Sequence, residues 1–316
     1  RDVAFAKRSF SVAAGFGVAA IFSVILLGDE SGYEVGEVQR VKLAAIEAEY
    51  HTEPAPAAFT VIGLPDDEAM ETHYAVKIPY ALGLIATRSL DEEVIGLRDL
   101  QKAHEPRIRN GMIAYKYLVK LRNGEETPEN LAKFNETKKD LGYGLLLKRY
   151  TENVVDATEE QIQMAVKDST PPVAPVFWAF RMMVASGFTM LLLFCLAFYF
   201  NARRQIEQKR WLLKSILFAL PLPWVAIETG WFVAEFGRQP WAISEVLPTF
   251  LSTSNLDAND VLFSLIAFII VYAILFVIEM FLMIKFARLG PSALHTGRYH
   301  FEQAPELTSG LRSQNS

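Results

Sequence analysis

The sequence contains very little cysteine: Cys195 stands alone among 316 residues. A single cysteine excludes an internal disulfide framework and any zinc site built from cysteine ligands. Because Cys195 lies within a long apolar run, we interpret it as a small packing residue. The net charge of −5 gives no excess of basic residues, so we expect no nucleic-acid partner.

Charge is also scarce in four long stretches, although half of the chain is apolar (51%). These runs are Ser9–Gly28, Met182–Ala202, Leu212–Phe236 and Val261–Ile278, and only the third contains charged residues. Each is close to the ~20 residues that a helix needs to cross a ~30 Å hydrocarbon core. The sequence therefore predicts an all-α membrane protein with four transmembrane helices and a largely helical domain outside the membrane.

Basic residues indicate how these helices are oriented. They cluster before the first run, between the second and third, and after the fourth, which places these three flanks in the cytoplasm. The predicted segments are membrane helices at 1–28, 176–202, 212–236 and 261–285, an outer domain at 29–175, an outer link at 237–260, a cytoplasmic link at 203–211 and a cytoplasmic tail at 286–316.

The outer domain is polar, mixed in charge and too long for a simple loop. We predict helices over Glu34–Tyr50, Glu92–Leu121 and Thr158–Lys167, separated by Pro- and Gly-containing stretches. The tail from Glu302 is rich in Ser, Gln and Gly, and we expect it to be disordered. The chain opens with Arg1, with neither an initiator methionine nor a signal-peptide pattern. We therefore expect it to be the later part of a longer membrane protein.

The third apolar run carries two carboxylates on one helix face. Trp224, Glu228, Trp231 and Glu235 are spaced by four, three and four residues. A charge at membrane depth costs ~2.5 kcal/mol or more without a partner. Glu235 either extends to water at the helix end or meets a proton, a cation or a metal, and we favour the second interpretation. An ion or proton transporter using Glu228, Glu235 and Arg238 is one form of it.

At the start of the second run, Arg181 precedes Met182 and Met183. Arginine commonly marks a helix end and methionine fills gaps in apolar cores, and spacing alone favours this interpretation. The alternative is a thioether ligand for haem iron, with the arginine facing a propionate. All five histidines lie outside the four runs. A haem in the membrane would therefore take methionine or carboxylate ligands from this chain.

Just after the first run, Asp29 stands at the predicted membrane boundary, followed by Lys42 and Glu47. A charged amphipathic surface helix is the simplest interpretation. On a helix, Lys42 and Glu47 would lie ~140° apart, so they cannot form the side-chain pair that residues three or four apart make. They could instead flank a small ligand, and a quinol headgroup, which gives up protons as it loses electrons, would suit an acid and a base near the membrane surface.

Four motifs carry a family resemblance: GWFVAEFGRQPW, FRMMV, GDESGY and KLAAIEAE. With them, the whole chain resembles subunit I of the cytochrome bd quinol oxidases, in the branch with a long quinol-binding loop. The resemblance implies that Met183 ligates a low-spin haem b and that Arg181 stabilises it. It implies Glu235 as an axial ligand of a high-spin haem b, with Trp231 and Arg238 beside the haem pair.

The same resemblance assigns Lys42, Glu47 and Asp29 to the quinol site. It implies an electrogenic, non-proton-pumping ubiquinol oxidase of the bacterial inner membrane, with the long loop on the periplasmic side and oxygen reduced to water. The implied cofactors are low-spin haem b, high-spin haem b and haem d, whose histidine ligands would lie upstream of Arg1. The implied partners are a second large subunit and small single-span subunits.

Overall fold

The computed structural model describes residues 2–290. Two compact units make up the chain: one contains its start through Ala14 together with the chain from Ser254 onward, and the other is Gly15–Thr253. Every sequence-predicted site residue lies in the second unit. The expected disorder from Glu302, and most of the predicted tail 286–316, fall outside the described residues.

Ten α-helices and four strands form the described part of the chain. The helices are α1 Asp2–Val38, α2 Arg40–Glu47, α3 Leu97–Arg122, α4 Pro128–Thr137, α5 Leu141–Leu145, α6 Glu159–Lys167, α7 Val173–Ala202, α8 Arg210–Phe218, α9 Leu222–Phe236 and α10 Ala258–Leu289. The strands are β1 Phe59–Asp66, β2 Glu71–Ile78, β3 Trp241–Ile243 and β4 Leu247–Pro248, with a π-helical turn at Gly83–Thr87.

Four helical segments are long and apolar enough to cross a membrane: Ala4–Val38, Val173–Ala202, Arg210–Phe236 and Ala258–Leu289. The predicted helical membrane fold is therefore confirmed. The first helix continues past Gly28 to Val38, and the third segment consists of α8 and α9, which are separated at Pro221. Proline lacks a backbone N–H and clashes with the preceding turn, so α8 ends before it, whereas a proline is tolerated in the first turn of α9.

The outer domain is mostly helical, as predicted, but it also contains an antiparallel hairpin that the sequence did not predict. Strand β1 pairs with β2 from Phe59 opposite Ile78 to Asp66 opposite Glu71. The register shifts around Ile62, so the apolar residues do not alternate strictly. In the turn, the Asp66 carboxylate accepts hydrogen bonds from two backbone N–H groups. This hairpin packs against the start of α7 and forms one wall of the candidate site.

The predicted helix Glu34–Tyr50 is divided at Gln39, where α1 ends and α2 begins in a new direction. Buried Ala44, Ala45 and Ile46 of α2 pack against Phe177 of α7 and Val233 of α9. Partly buried Phe232 and Phe236, stacked with their ring centroids 4.7 Å apart, extend this core. The short helix α2 is therefore anchored across two membrane helices, and it carries Lys42 and Glu47 with it.

Candidate functional site

Helix α2 ends in a left-handed turn that buries two carboxylates. Ala48 has φ 54° and ψ 38°, and its N–H returns to the carbonyls of Ala44 and Ala45. The N–H of Glu49 also donates to the Ala44 carbonyl, at 2.9 Å. Such a turn is a common helix C-cap and reverses the chain direction. As a result Glu47 (3% exposed) and Glu49 (4% exposed) both face the interior.

Arg181, near the start of α7, is the ionic partner of Glu47. Its Nη2 lies 2.8 Å from Glu47 Oε2, and its guanidinium also donates to the carbonyls of Ile46 and Thr60. The guanidinium carbon stands 3.8 Å from the centroid of the Phe177 ring. Burial raises the pKa of Glu47 to about 7, because loss of hydration outweighs the opposing effect of Arg181. The pair therefore holds a carboxylate that can be protonated near neutral pH.

One atom of Arg181 is unsatisfied. Its Nε is buried and has no hydrogen-bond partner among the described residues. A buried N–H without an acceptor is costly, on the order of 1–3 kcal/mol. An anionic or carbonyl oxygen of a bound group would satisfy it, and a haem propionate has such oxygens.

Lys42 contacts a different element from Glu47. Its Nζ lies 3.4 Å from the carbonyl oxygen of Ala234, in the last turn of α9, and its aliphatic chain lies against Gly237. A cation at a helix C-terminus is favourable, since the last carbonyls are unpaired there. Burial lowers the pKa of Lys42, and Arg238 adds to this effect, while Glu235 opposes it. The structure thus separates Lys42 from Glu47 and brings Lys42 close to Glu235.

Glu235 stands between aromatic residues in the sequence but not in space. Phe232 and Phe236 turn toward the core, whereas the Glu235 side chain is 44% exposed and accepts a hydrogen bond from Arg238. Trp231, one turn earlier, is 65% exposed. Helix α9 therefore packs one face on the core and presents an open face bearing a carboxylate, an arginine and an indole.

Met183 lies where α7 meets α9. A Cβ atom built on Gly230 would stand 3.0 Å from Met183 Sδ, so the thioether rests directly on that glycine. Met183 is half-buried, whereas Met182 is exposed. Of the two adjacent methionines, Met183 is thus the one that faces a neighbouring membrane helix, two residues beyond Arg181.

Asp29 pairs with an arginine outside the Glu47 and Glu235 clusters. It is exposed on α1, and Arg88 Nη2 lies 3.7 Å from its Oδ2 while also bonding Glu30. Asp29 lies within α1, which continues to Val38, and the described structure gives it no contact with Lys42 or Glu47.

A cavity of about 400 Å³ opens beside Lys42. Gln39, His104, Arg107 and Arg238 also line it. The side-chain oxygen of Gln39 is buried and lacks a hydrogen-bond partner among the described residues. His104 shares a 2.8 Å hydrogen bond between its Nδ1 and Ser169 Oγ, and burial lowers its pKa to about 4, so it is neutral near pH 7. The cavity therefore offers several cations and one unsatisfied acceptor.

Sequence reasoning missed the network that supports this cavity. Arg107 holds Glu245 through two 2.9 Å hydrogen bonds and holds Asp140 at 2.8 Å, and Tyr143 donates to Glu245 at 3.1 Å. Glu245 belongs to the β3–β4 hairpin, which follows Arg238 directly. The network thus ties the outer domain to the end of α9. Its members are far apart in the chain, and no local pattern indicates their contact.

The residues present fit a haem better than a bare metal ion. Among residues 2–290, no group of three or more His, Cys, Asp or Glu side chains comes together as a metal cage. A haem carries four ligands of its own and needs only one or two from protein. Met183 offers a half-buried thioether, Arg181 has an unsatisfied Nε that could donate to a propionate, and Glu235 with Arg238 offers an open carboxylate, so each suits a role in holding a haem.

Comparison with known proteins agrees with these features. The model of the family described as cytochrome bd terminal oxidase subunit I matches residues 1–291. The chain is 45% identical over 296 residues to cytochrome bd-II ubiquinol oxidase subunit 1 of Escherichia coli (strain K12), covering 94% of this chain and 58% of that protein. It is 28% identical over 286 residues to cytochrome bd ubiquinol oxidase subunit 1 of Bacillus subtilis (strain 168), covering 90% and 49%.

A third relative, the putative cytochrome bd menaquinol oxidase subunit I of the same Bacillus subtilis strain, is 24% identical over 279 residues, covering 87% of this chain and 47% of its own. The chain thus spans about half the length of the curated relatives it matches. None of these comparisons supports the alternative of an ion transporter through Glu228, Glu235 and Arg238.

Proposed function

This chain belongs to the cytochrome bd terminal oxidase subunit I family, and we propose that it works in a membrane oxidase that passes electrons from quinol to oxygen. The observation that carries the proposal is the buried pair of Glu47 and Arg181. Glu47, a carboxylate that can accept a proton, pairs with Arg181, and Arg181 stands two residues before Met183 near the start of α7. Quinol oxidation requires a proton acceptor and an electron acceptor close together, and we propose that Glu47 and a haem held by Met183 fill these two roles.

We propose haem positions that rest on the family resemblance of the motifs around Met183 and Glu235. Met183 would supply the thioether to a low-spin haem b, and the Arg181 Nε would donate to a propionate. Glu235 would hold a high-spin haem b, with Arg238 fixing the carboxylate and Trp231 beside it; an oxygen ligand is weaker-field than a thioether or imidazole. When bound, these haems and haem d supply one-electron transfer and oxygen chemistry. Histidine ligands for the low-spin haem and haem d would come from outside this chain.

Lys42, Glu47 and Asp29 form the proposed quinol site. Oxidation removes two protons and two electrons from quinol, and we assign to Glu47 the acceptance of a proton from a hydroxyl. Lys42 donates toward the end of α9 and lines the cavity, where a cation can orient a quinol oxygen. Asp29, paired with Arg88, marks the outer boundary of the site on α1.

Family membership supports a proposal for the assembly. We propose a second large subunit and small single-span subunits, which would cover the exposed faces of the membrane helices. We place the complex in the bacterial inner membrane, with the domain from 29 to 175 on the periplasmic side and the link at 203–211 in the cytoplasm, because basic residues flank the opposite helix ends. Protons for water formation would be taken from the cytoplasm, which makes the reaction electrogenic without a proton pump.

The quinol site can be tested by separating its chemistry from that of the haems. Lys42→Ala and Glu47→Gln should lower turnover with quinol while all haem bands and turnover with an artificial donor remain. Lys116→Ala, which removes an exposed lysine on α3, is the matched control and should change neither activity. Loss of both activities together in the Lys42 and Glu47 variants would show that these residues are structural and that quinol binds elsewhere.

A further inference from the structure

Behind Glu47 a series of charged groups continues to the protein surface. Thr60 on β1 connects them: its carbonyl accepts from Arg181, and its hydroxyl donates to Glu49 Oε1 at 3.2 Å. Lys77 on β2 then lies 3.2 Å from Glu49 Oε1 and 2.7 Å from Glu53 Oε2. The side chains of Glu53 and Lys77 are 23% and 31% exposed, so the series ends in water.

We propose that Glu49 relays the proton released at Glu47 to the outer aqueous phase, past Lys77 and Glu53. The proposal rests on the quinol oxidation proposed above and extends it by a release path. Glu49 ends the motif KLAAIEAE, but the sequence analysis gave it no role, and it does not line the cavity beside Lys42.

The charges around Glu49 favour this role. It faces Glu47 on α2, Arg181 on α7, Thr60 on β1, Lys77 on β2, and Glu53 in the segment before β1. Two buried carboxylates are thus balanced by two cations. Burial raises the pKa of Glu49 as it does that of Glu47. A carboxylate with an ordinary pKa would hold a proton too rarely at neutral pH to relay it efficiently.

The proton and the electron leave the quinol by separate routes. The O–H bond of a quinol hydroxyl breaks and its proton goes to the Glu47 carboxylate, while a haem of the proposed oxidase would accept one electron. Glu47 gives the proton up to Glu49, and Glu49 releases it to water at Glu53. Both carboxylates then return to their starting state, and a second cycle removes the second proton and electron and leaves quinone.

The turn at Ala48 explains how adjacent acids can share one path. Residues two apart on a continuing helix would point to opposite sides. The left-handed Ala48 reverses the chain, so Glu49 enters the same interior as Glu47. Two buried carboxylates next to each other repel when both are ionised, which favours a state in which one of the two carries a proton.

Glu49→Gln tests the relay, because glutamine can still accept the hydrogen bonds from Thr60 and Lys77 but cannot carry a proton. We expect quinol turnover to fall on the order of a hundredfold, within the range for loss of an acid–base group. The solvent isotope effect should increase, and the residual rate should rise with pH as bulk base takes over. Glu49→Asp, which keeps a carboxylate, should recover part of the rate. Glu71→Gln, an exposed carboxylate on β2, should change nothing.

Infrared titration of the resting protein provides a readout that does not depend on turnover. The carbonyl band of protonated carboxylic acids should lose one component in Glu49→Gln and keep it in Glu71→Gln. Unchanged quinol turnover and an unchanged pH profile in Glu49→Gln, with Glu47→Gln inactive, would overturn the relay and leave the proposed quinol site standing. If Glu47→Gln is also fully active, the quinol site fails too. Loss of haem or of artificial-donor turnover in Glu49→Gln would make Glu49 structural and likewise overturn the relay.

Discussion

The raised pKa of Glu47 predicts that the docking of α2 weakens as the pH rises. The ordinary value for glutamate is 4.5, and burial raises the pKa of Glu47 to about 7 in the folded protein. Between these two values the folded state binds a proton that the opened state has released. The free energy of opening therefore falls with rising pH across this window and levels off above about 7. The full difference corresponds to roughly 3 kcal/mol.

Amide hydrogen exchange on the purified protein measures this opening locally. Peptides covering α2 and β1 should exchange faster, after correction for the chemical exchange rate, as the pH rises from 5 toward 8. In Glu47→Gln the opening free energy should change less with pH, because the glutamine amide does not titrate. The difference in opening free energy between variant and wild type should change by roughly 3 kcal/mol across the window. Glu49, whose pKa is also raised, remains in the variant and leaves it a residual pH dependence.

An equal pH dependence of the opening free energy in the wild type and in Glu47→Gln would refute the prediction. It would mean that Arg181 keeps Glu47 ionised at all pH values in the folded state, so that attraction wins over loss of hydration. A slope of opposite sign would mean that the pKa of Glu47 is lowered. Glu71→Gln, at the exposed start of β2, should keep the wild-type slope and controls for a general effect of removing a carboxylate.

Three further predictions concern the haem ligands and the outer domain. Met183→Leu, which keeps the volume and removes the sulfur, should convert the low-spin haem to a high-spin or absent one; an unchanged low-spin spectrum would return Met183 to a packing role. Glu235→Ala should deplete the high-spin haem b, spare the low-spin one and abolish oxygen reduction, and full haem content with normal turnover would contradict the assignment. Gly111→Ala would place a Cβ 2.3 Å from the Gly144 nitrogen, so the thermal unfolding temperature should drop with a loss of about 3 kcal/mol, whereas Gly187→Ala, with open space around it, should change it little.

Much of the fold could be predicted because a membrane helix can be recognised from a continuous stretch of sequence. Length and lack of charge were sufficient to identify the four spans, and both measures need only a window of neighbouring residues. The break at Pro221 and the extension of α1 to Val38 alter bounds and leave the number of spans unchanged. The hairpin of β1 and β2 was not predicted. Its register shifts around Ile62 disturb the alternation of apolar and polar residues by which a strand is recognised.

The candidate site was only partly predictable, and the reason differs from residue to residue. Lys42, Met183 and Glu235 stand in short motifs that the sequence reveals. The contacts of Lys42 with Ala234 and of Met183 with Gly230 join different helices, so the motifs do not predict them. Glu235 pairs with Arg238, three residues further along the chain. The support given by Arg107 to Glu245 joins residues on α3 and the β3–β4 hairpin, and tertiary packing alone brings them together.

Glu49 shows most clearly where sequence periodicity stops being informative. Helical spacing assigns faces only while the helix continues, and on that basis Glu47 and Glu49 would point apart. At Ala48 the backbone leaves the helix for a left-handed conformation, so the next side chain is oriented by the packing of β1 and α7. A buried carboxylate is tolerated there because Lys77 and Thr60 reach it from the hairpin. The environment of Glu49, and with it the raised pKa, therefore depends on strands β1 and β2, and the sequence around Glu49 does not predict their position.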